Sequence, residues 1–299
     1  MIPKVWMGRL IALITGGSAI LTVATVFAIV GIIAWGGAPS LTWDFIFGSP
    51  EKGMTEGGIF PAIVGTFFLV LLMSIAGVPI GTITAIYLTE YVGQSSRIGR
   101  TIRFAVNTLA GIPSIVFGLF GLGFFISFVG GGMDNLFMGG KLAWGQPNIL
   151  WASMTLALLT LPVVIVSVEE ALKTVPREMR EASLALGATR LETIRKVVLP
   201  QSMTGILTGA ILAVSRGAGE VAPILFTGAA YFLPELPDKL TSQFMELGYH
   251  IYVMSTQSVD VEATRPIQYA TTLVLLLLTF TLNFSAIWLR WHLRRRAIR

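Results

Sequence analysis

Two ionisable residues stand inside the fifth of six long apolar runs, in Ser215-Arg216-Gly217-Ala218-Gly219-Glu220-Val221-Ala222-Pro223. A spacing of four places the Arg216 and Glu220 heads on one helix face, so an intrahelical ion pair is available. An arginine is also permanently charged and forks two hydrogen bonds to an oxyanion, so Arg216 can equally draw an anion into a pathway. An Arg near mid-span costs about 2.5–3.5 kcal/mol to insert, so something must compensate it. Both readings stay open at this point.

Other chemistries lack their residues. The chain has no cysteine, which excludes disulfides, thiolate catalysis and cysteine-bound metals. His250 is one of 2 histidines and has no second ligand at metal spacing, so no metal site is expected. A membrane-embedded enzyme would need a nucleophile, base or metal cluster, and Glu220 has no His or second acid to complete one. Gly139-Gly140-Lys141 is followed by Leu142 and lacks the earlier Gly of a phosphate-binding loop, so ATP hydrolysis through a Walker site is excluded.

The elements that position these residues are membrane helices. Of 299 residues, 54% are hydrophobic and 12% charged, about half the charged share of an average soluble domain. Six runs are long enough to cross roughly 30 Å of hydrocarbon, near 10–35, 61–90, 102–129, 149–170, 204–230 and 267–289. The first, Ile11 to Trp35, exceeds a signal-peptide core and reads as a retained span. The expected organisation is an N-terminal helix and outer loop over 1–60, then a core of five spans over 61–299.

Charge sets the orientation. With the N-terminus inside, sixteen of the 21 Lys and Arg fall on the cytoplasmic side, among them Arg97, Arg100, Arg103, the cluster Lys173 to Lys196 and the tail Arg290 to Arg299. Lys52, Lys141, Lys239 and Arg265 fall outside. Both termini are expected inside, the net charge of +5 is explained by topology, and nucleic-acid binding needs no invoking. The Arg-rich tail serves as a topology anchor or contacts anionic lipid headgroups.

Four spans carry helix breakers: Gly77 and Pro79, Gly111 and Pro113, Pro162, and Gly217, Gly219 and Pro223. Irregular backbone at membrane depth survives only against protein or a water-filled cavity. The alternative is that Gly77-x-x-x-Gly81 and Gly205-x-x-x-Gly209 let helices pack closely. The outer aromatics Trp43, Phe45, Phe47, Tyr231, Phe232, Phe244 and Tyr249 suit either a docking face or an interfacial belt.

Between the fourth and fifth spans lies a charged hairpin over about 171–203. Pro176 suits a first helical turn, Glu178 and Glu181 sit toward the positive end of the helix dipole, and Gly187 ends that helix near Leu186. Thr189 and Glu192 form a capping box that starts a second helix, expected to run to Leu199 before Pro200.

Glu181-Ala182-Ser183, Gly187 and Val198-Leu199-Pro200 resemble the cytoplasmic coupling loop of ATP-binding-cassette importer permeases. Ser215 to Thr227 and Leu109 to Gly118 are similar to the phosphate-specific members, both the A and C subunits. Gly57 to Ile63, His250-Ile251-Tyr252 and the last span are similar to the A subunit in particular. The resemblance implies an all-α type I importer permease fold whose coupling helix seats in an ATPase cleft through Glu181, Ala182, Ser183, Gly187, Leu199 and Pro200. It places Arg216 and Glu220 on a phosphate route, with Asn107, Ser114 and Thr227 as further polar candidates; ordinary helix packing by those three is the alternative. The implied partners are a homologous second permease, an ATP-binding cassette dimer that holds the ATP and Mg2+, an external phosphate-binding protein and the bilayer of a bacterial or archaeal inner membrane. An importer of sulfate or molybdate would share the loop.

Overall fold

The computed structural model describes residues 4–52, 56–92, 96–258 and 260–297. The side chains of Lys4 and of Arg294, Arg295, Arg296 and Arg299, invoked for orientation, lie outside the described residues. The described residues are mostly helical, with one small hairpin, β1 (Pro50–Glu51) against β2 (Glu56–Gly57), and a long irregular stretch after residue 217.

α1 (Lys4–Gly37) is apolar all round and packs chiefly along α12 (Val261–Ala297) and against the short turn that follows α1, Gly37 lying against the Tyr269 backbone. α2 (Trp43–Phe47), capped by Thr42, leads to α3 (Phe60–Ile86), which widens into a π-helical turn over Tyr87–Tyr91. α4 (Arg97–Ala110) starts at a Ser96 cap and stops at Gly111. α5 (Ser114–Phe120), a π-helical stretch over Gly121–Gly130 and α6 (Gly131–Phe137) form one span.

α7 (Ile149–Lys173) is the core, packed between α3 and α10 with Ala152, Leu156, Val164, Val168 and Leu172 sealed from solvent. A helix that is apolar on every face is stable only when surrounded. α8 (Arg177–Ala185), α9 (Arg190–Thr193), a wide turn over Ile194–Val198 and α10 (Leu199–Gly217) follow. An irregular segment then leads to α11 (Leu247–Thr256) and α12.

Among the described residues six helices are long and apolar enough to cross a membrane, and the third and fifth depart most from the bounds of the hydropathy reading. The third begins at Ser114, not near 102, because Gly111 and the residue before Pro113 resist helical geometry and set the Arg-bearing α4 apart. The fifth runs Arg190–Gly217 and stops there, so 218–230 is not helix. The expected stop at Leu199 does not occur. Pro200 lies inside the continuous helix Arg190–Gly217, and the wide π-helical turn Ile194–Val198 just before it makes room for the ring and the missing N–H.

The four breakers divide evenly. α3 continues through Pro79 and α7 through Pro162, whereas Gly111–Pro113 and Gly217–Pro223 interrupt their helices. The Gly-x-x-x-Gly pairs serve close packing: a Cβ on Gly81 would stand 2.7 Å from Val164, one on Gly209 2.9 Å from Ser167, and one on Gly205 would collide with Ala171. All three face α7.

Candidate functional site

Arg216 closes the last turn of α10, where the negative end of the helix dipole favours a cation. Its neighbour Gly217 lies against Met73 of α3 and Thr160 of α7. At about 1.5 Å per residue those positions are roughly 20 Å from Phe60 and roughly 17 Å from Ile149, near the middle of a hydrocarbon slab. The arginine is therefore at mid-depth, though at a helix end and not within a continuous span.

Arg216 Nε pairs with Glu220 Oε1 at 3.3 Å, which offsets the charge. Its Nη1 and Nη2 make no hydrogen bond among the described residues, and the side chain is 42% exposed. A half-exposed guanidinium at this depth cannot face lipid without a large cost, so this face belongs to a water-filled cavity or a second subunit. Beside it, Ser215 Oγ hydrogen-bonds Asn283 of α12 at 2.6 Å. Asn283 was not among the expected residues; an amide deep inside the sixth apolar run was its visible sign.

The other polar candidates are not gathered here. Asn107 lies on α4 and lines a separate cavity of about 190 Å3 with Arg103 and Glu169. Thr227 is fully buried, and its hydroxyl donates to the Pro223 carbonyl at 3.0 Å while its own carbonyl accepts from Asn148. Ser114 is half-buried at the first turn of α5. The third span packs on the segment after α10 through two glycines, Gly118 of α5 admitting Pro223 and Phe226, and Gly121 at the start of the π-helical stretch admitting Thr227.

The hairpin α8–α9 forms at the positions its sequence signals. Pro176 precedes α8, Gly187 takes φ +86°, and Thr189 and Glu192 close a full capping box. Glu181, Ala182 and Gly187 are exposed, as is Pro200, while Ser183 and Leu199 are half-buried. Ser183 Oγ and Thr193 Oγ1 are 2.9 Å apart, bridging the two helices.

Two long-range ion pairs anchor this hairpin side, and neither was read from sequence. Arg180 of α8 holds Glu90 at 2.8 Å and also bonds the Leu172, Val175 and Pro176 carbonyls. Arg103 of α4 holds Glu169 at 3.2 Å and the Leu88 carbonyl at 2.8 Å. Both arginines thus grip the widened end of α3. The helix Arg190–Gly217 runs unbroken from the hairpin to Arg216, about 42 Å long at the usual rise.

In the segments between spans, Phe45 and Phe244 are buried core, whereas Trp43, Phe47, Tyr231 and Phe232 are exposed. Glu246 caps α11, accepting from the Gly248 and Tyr249 amides, and burial pushes its carboxyl up to about 7. His250 is buried with Nδ1 unpartnered, and burial lowers its pKa to about 4, leaving a neutral imidazole at pH 7.

Residues 77–299 match the family described as binding-protein-dependent transport system inner membrane component. A probable ABC transporter permease protein, YqgI of Bacillus subtilis, is 30% identical over 92% of each chain. The phosphate transport system permease protein PstA 1 of Mycobacterium tuberculosis is 33% identical over 80% of this chain and 73% of its own length. The fold is similar to a chain of the bacterial alginate ABC transporter solved with an alginate-bound periplasmic protein, at TM-score 0.65, 14% identity, and coverage of 98% of this chain and 96% of the other. It is also similar to a chain of the MetNI methionine ABC transporter in an inward-facing conformation, at TM-score 0.54, 20% identity, and coverage of 79% and 94%.

Proposed function

The chain belongs to the inner membrane components of binding-protein-dependent transport systems, and we propose that it is the permease subunit of an ATP-driven inorganic phosphate importer. It is a multi-pass membrane protein, with six apolar helices of spanning length among the described residues. Relatives named as phosphate permeases, in bacteria and in the archaeon Methanocaldococcus jannaschii, support the substrate. The single observation that carries it is Arg216 at mid-depth, charged, half-exposed and with two donor groups unspent.

In this reading the hairpin α8–α9 lies in the cytoplasm and docks on an ATP-binding cassette subunit through Glu181, Ala182, Ser183 and Gly187. Both termini share that side. ATP and Mg2+ sit on the cassette dimer, a second, homologous permease completes the pathway, and an external phosphate-binding protein delivers the anion. Closure of the dimer moves α8. The motion passes along two routes, through Arg180–Glu90 to α3 and through the unbroken helix Arg190–Gly217 to Arg216. Arg216 offers its Nη groups to phosphate while Glu220 and the helix C-terminus keep the empty guanidinium tolerable at depth.

The test is labelled phosphate uptake by the complete reconstituted complex carrying Arg216→Gln, with assembly and ATP hydrolysis followed in the same preparation. Loss of uptake from an intact, ATP-hydrolysing complex is expected, and excess sulfate or molybdate should not compete in the wild type. Uptake equal to wild type would make Arg216 and Glu220 a structural pair and move the anion site to the partner permease.

A further inference from the structure

α10 and α12 run antiparallel and meet through two polar contacts. Ser215 Oγ donates to Asn283 Oδ1 at 2.6 Å, and Arg290 Nη1 donates to Thr208 Oγ1 at 2.8 Å. From 208 to 215 and from 283 to 290 is seven residues on each helix, so the contacts are two rungs about 10 Å apart on one seam. Thr208 gives its own proton to the Thr204 carbonyl, which leaves its oxygen to accept from Arg290. Arg290, read from sequence as part of the tail anchor, is thus turned onto α10. In hydrocarbon an apolar seam does not fix register, since lipid tails are as apolar as the helices, whereas a polar group at a seam position does. A slide of α12 along α10 breaks both rungs together.

One rung adjoins Arg216. Successive helical residues point about 100° apart. Ser215 faces α12, while Gly217 faces Met73 of α3 and Thr160 of α7 so closely that a Cβ there has no room. Arg216 lies between those two directions, and whatever holds its neighbours sets where its guanidinium goes. On the Gly217 side the hold is close packing. Ser215 is exposed, so packing does not hold it, and its tie to another helix is the hydrogen bond to half-buried Asn283. The tie matters because these residues form the last turn of α10, where intrahelical bonding runs out and helices fray.

We propose that Asn283 is a positioning residue for anion passage at Arg216, an inference that rests on the reading of Arg216 as an anion contact. Asn283 acts through Ser215 and not on the anion itself. It pins the last turn of α10 to α12, the Arg290–Thr208 rung holds the register of the same seam, and the unspent Nη groups of Arg216 stay directed away from both packed faces.

The complete reconstituted complex is compared with Asn283→Leu, which keeps the side-chain volume without the amide, with Ser215→Ala, with the two combined, and with the exchange Ser215→Asn/Asn283→Ser. Phosphate transported per ATP hydrolysed is read at saturating phosphate, with ATP hydrolysis and the thermal midpoint followed in the same preparations. Each single variant is expected to lower that ratio about fivefold, the equivalent of one neutral hydrogen bond, with ATP hydrolysis and assembly as in the wild type. The combined variant should be no worse than either, because both remove the same bond. The exchange should restore the ratio, since an amide and a hydroxyl still meet. An unchanged ratio in Asn283→Leu, effects that multiply in the combined variant, or an exchange as poor as the combined variant overturns the proposal. If Asn283→Leu does not assemble, Ser215→Ala, which removes one atom, decides by the same ratio. Arg216→Gln separates the two readings. Lost uptake there beside an unchanged ratio in Asn283→Leu overturns this inference alone, whereas wild-type uptake there overturns the Arg216 assignment and this inference with it.

Discussion

Two of the chain's Arg–Glu pairs, Arg180–Glu90 and Arg216–Glu220, differ in almost every physical respect. Arg180 and Glu90 come from positions 90 residues apart, meet at 2.8 Å with 19% and 9% of their side chains exposed, and every nitrogen of the guanidinium is engaged. Arg216 and Glu220 lie one helical turn apart, touch at 3.3 Å through Nε alone, and leave Arg216 42% exposed. The first arginine is fully committed to tying α8 to α3. The second is neutralised but has binding capacity to spare. A saturated pair transmits force, and an unsaturated one can take a ligand.

The comparison breaks most readily at the committed pair. Glu90→Gln leaves Arg180 charged and uncompensated in a buried setting, a change that typically costs about 3–5 kcal/mol. Thermal stability and assembly of the complex should fall together, and an intact, fully coupled variant would mean that Arg180 is held by its carbonyls alone. Arg216→Gln should do the reverse, preserving assembly while lowering uptake about 100-fold, the equivalent of two charged hydrogen bonds at about 1.5 kcal/mol each. Should both variants lose assembly, the contrast between the pairs is gone.

Glu246 sharpens the contrast as a buried carboxylate with no cation beside it. Its pKa rises from 4.5 unfolded to about 7 folded, so the folded state holds the proton longer and its stabilising effect is lost as pH rises from about 4.5 to about 7. Glu246→Gln does not titrate. The variant's thermal midpoint should gain on the wild type across that window, by up to about 1.4 kcal/mol per pH unit. His250 shifts the opposite way but is present in both proteins and cancels. A constant gap between variant and wild type across that window would show Glu246 ionised throughout.

The smallest expected effects lie in the hairpin itself. Thr189→Ala removes half of the capping box and should cost about 1 kcal/mol. Ser183→Ala removes the bridge to Thr193 and should cost about 1 kcal/mol or less, read as ATP hydrolysis less tightly coupled to uptake. Tight coupling in Ser183→Ala would leave Arg180 as the main tie between α8 and the rest of the chain.

Local signals were mostly legible, the stop expected at Leu199 before Pro200 being the exception. Pro176, Gly187, Thr189 and Glu192 announced the hairpin because caps and left-handed turns act within a few residues, and the apolar runs announced the helices because crossing hydrocarbon demands length. The i,i+4 spacing likewise announced the Arg216–Glu220 pair. Pattern failed where two local rules compete: hydropathy carried the third and fifth spans through Gly111–Pro113 and Gly217, where backbone geometry stops them.

What only the tertiary structure decided is which polar groups meet across the bundle. Nothing in sequence marks Glu90 as the partner of Arg180, Glu169 as that of Arg103, or Asn283 as that of Ser215, because each pairing depends on how α3, α4, α7, α8, α10 and α12 pack. The same packing put Asn107 in another cavity, buried Thr227 with its hydroxyl spent on the Pro223 carbonyl, and set Arg216 at mid-depth with donors free. Spacing along a chain fixes neighbours within a helix, whereas the neighbours of a helix are fixed by the close packing of small and apolar faces around α7.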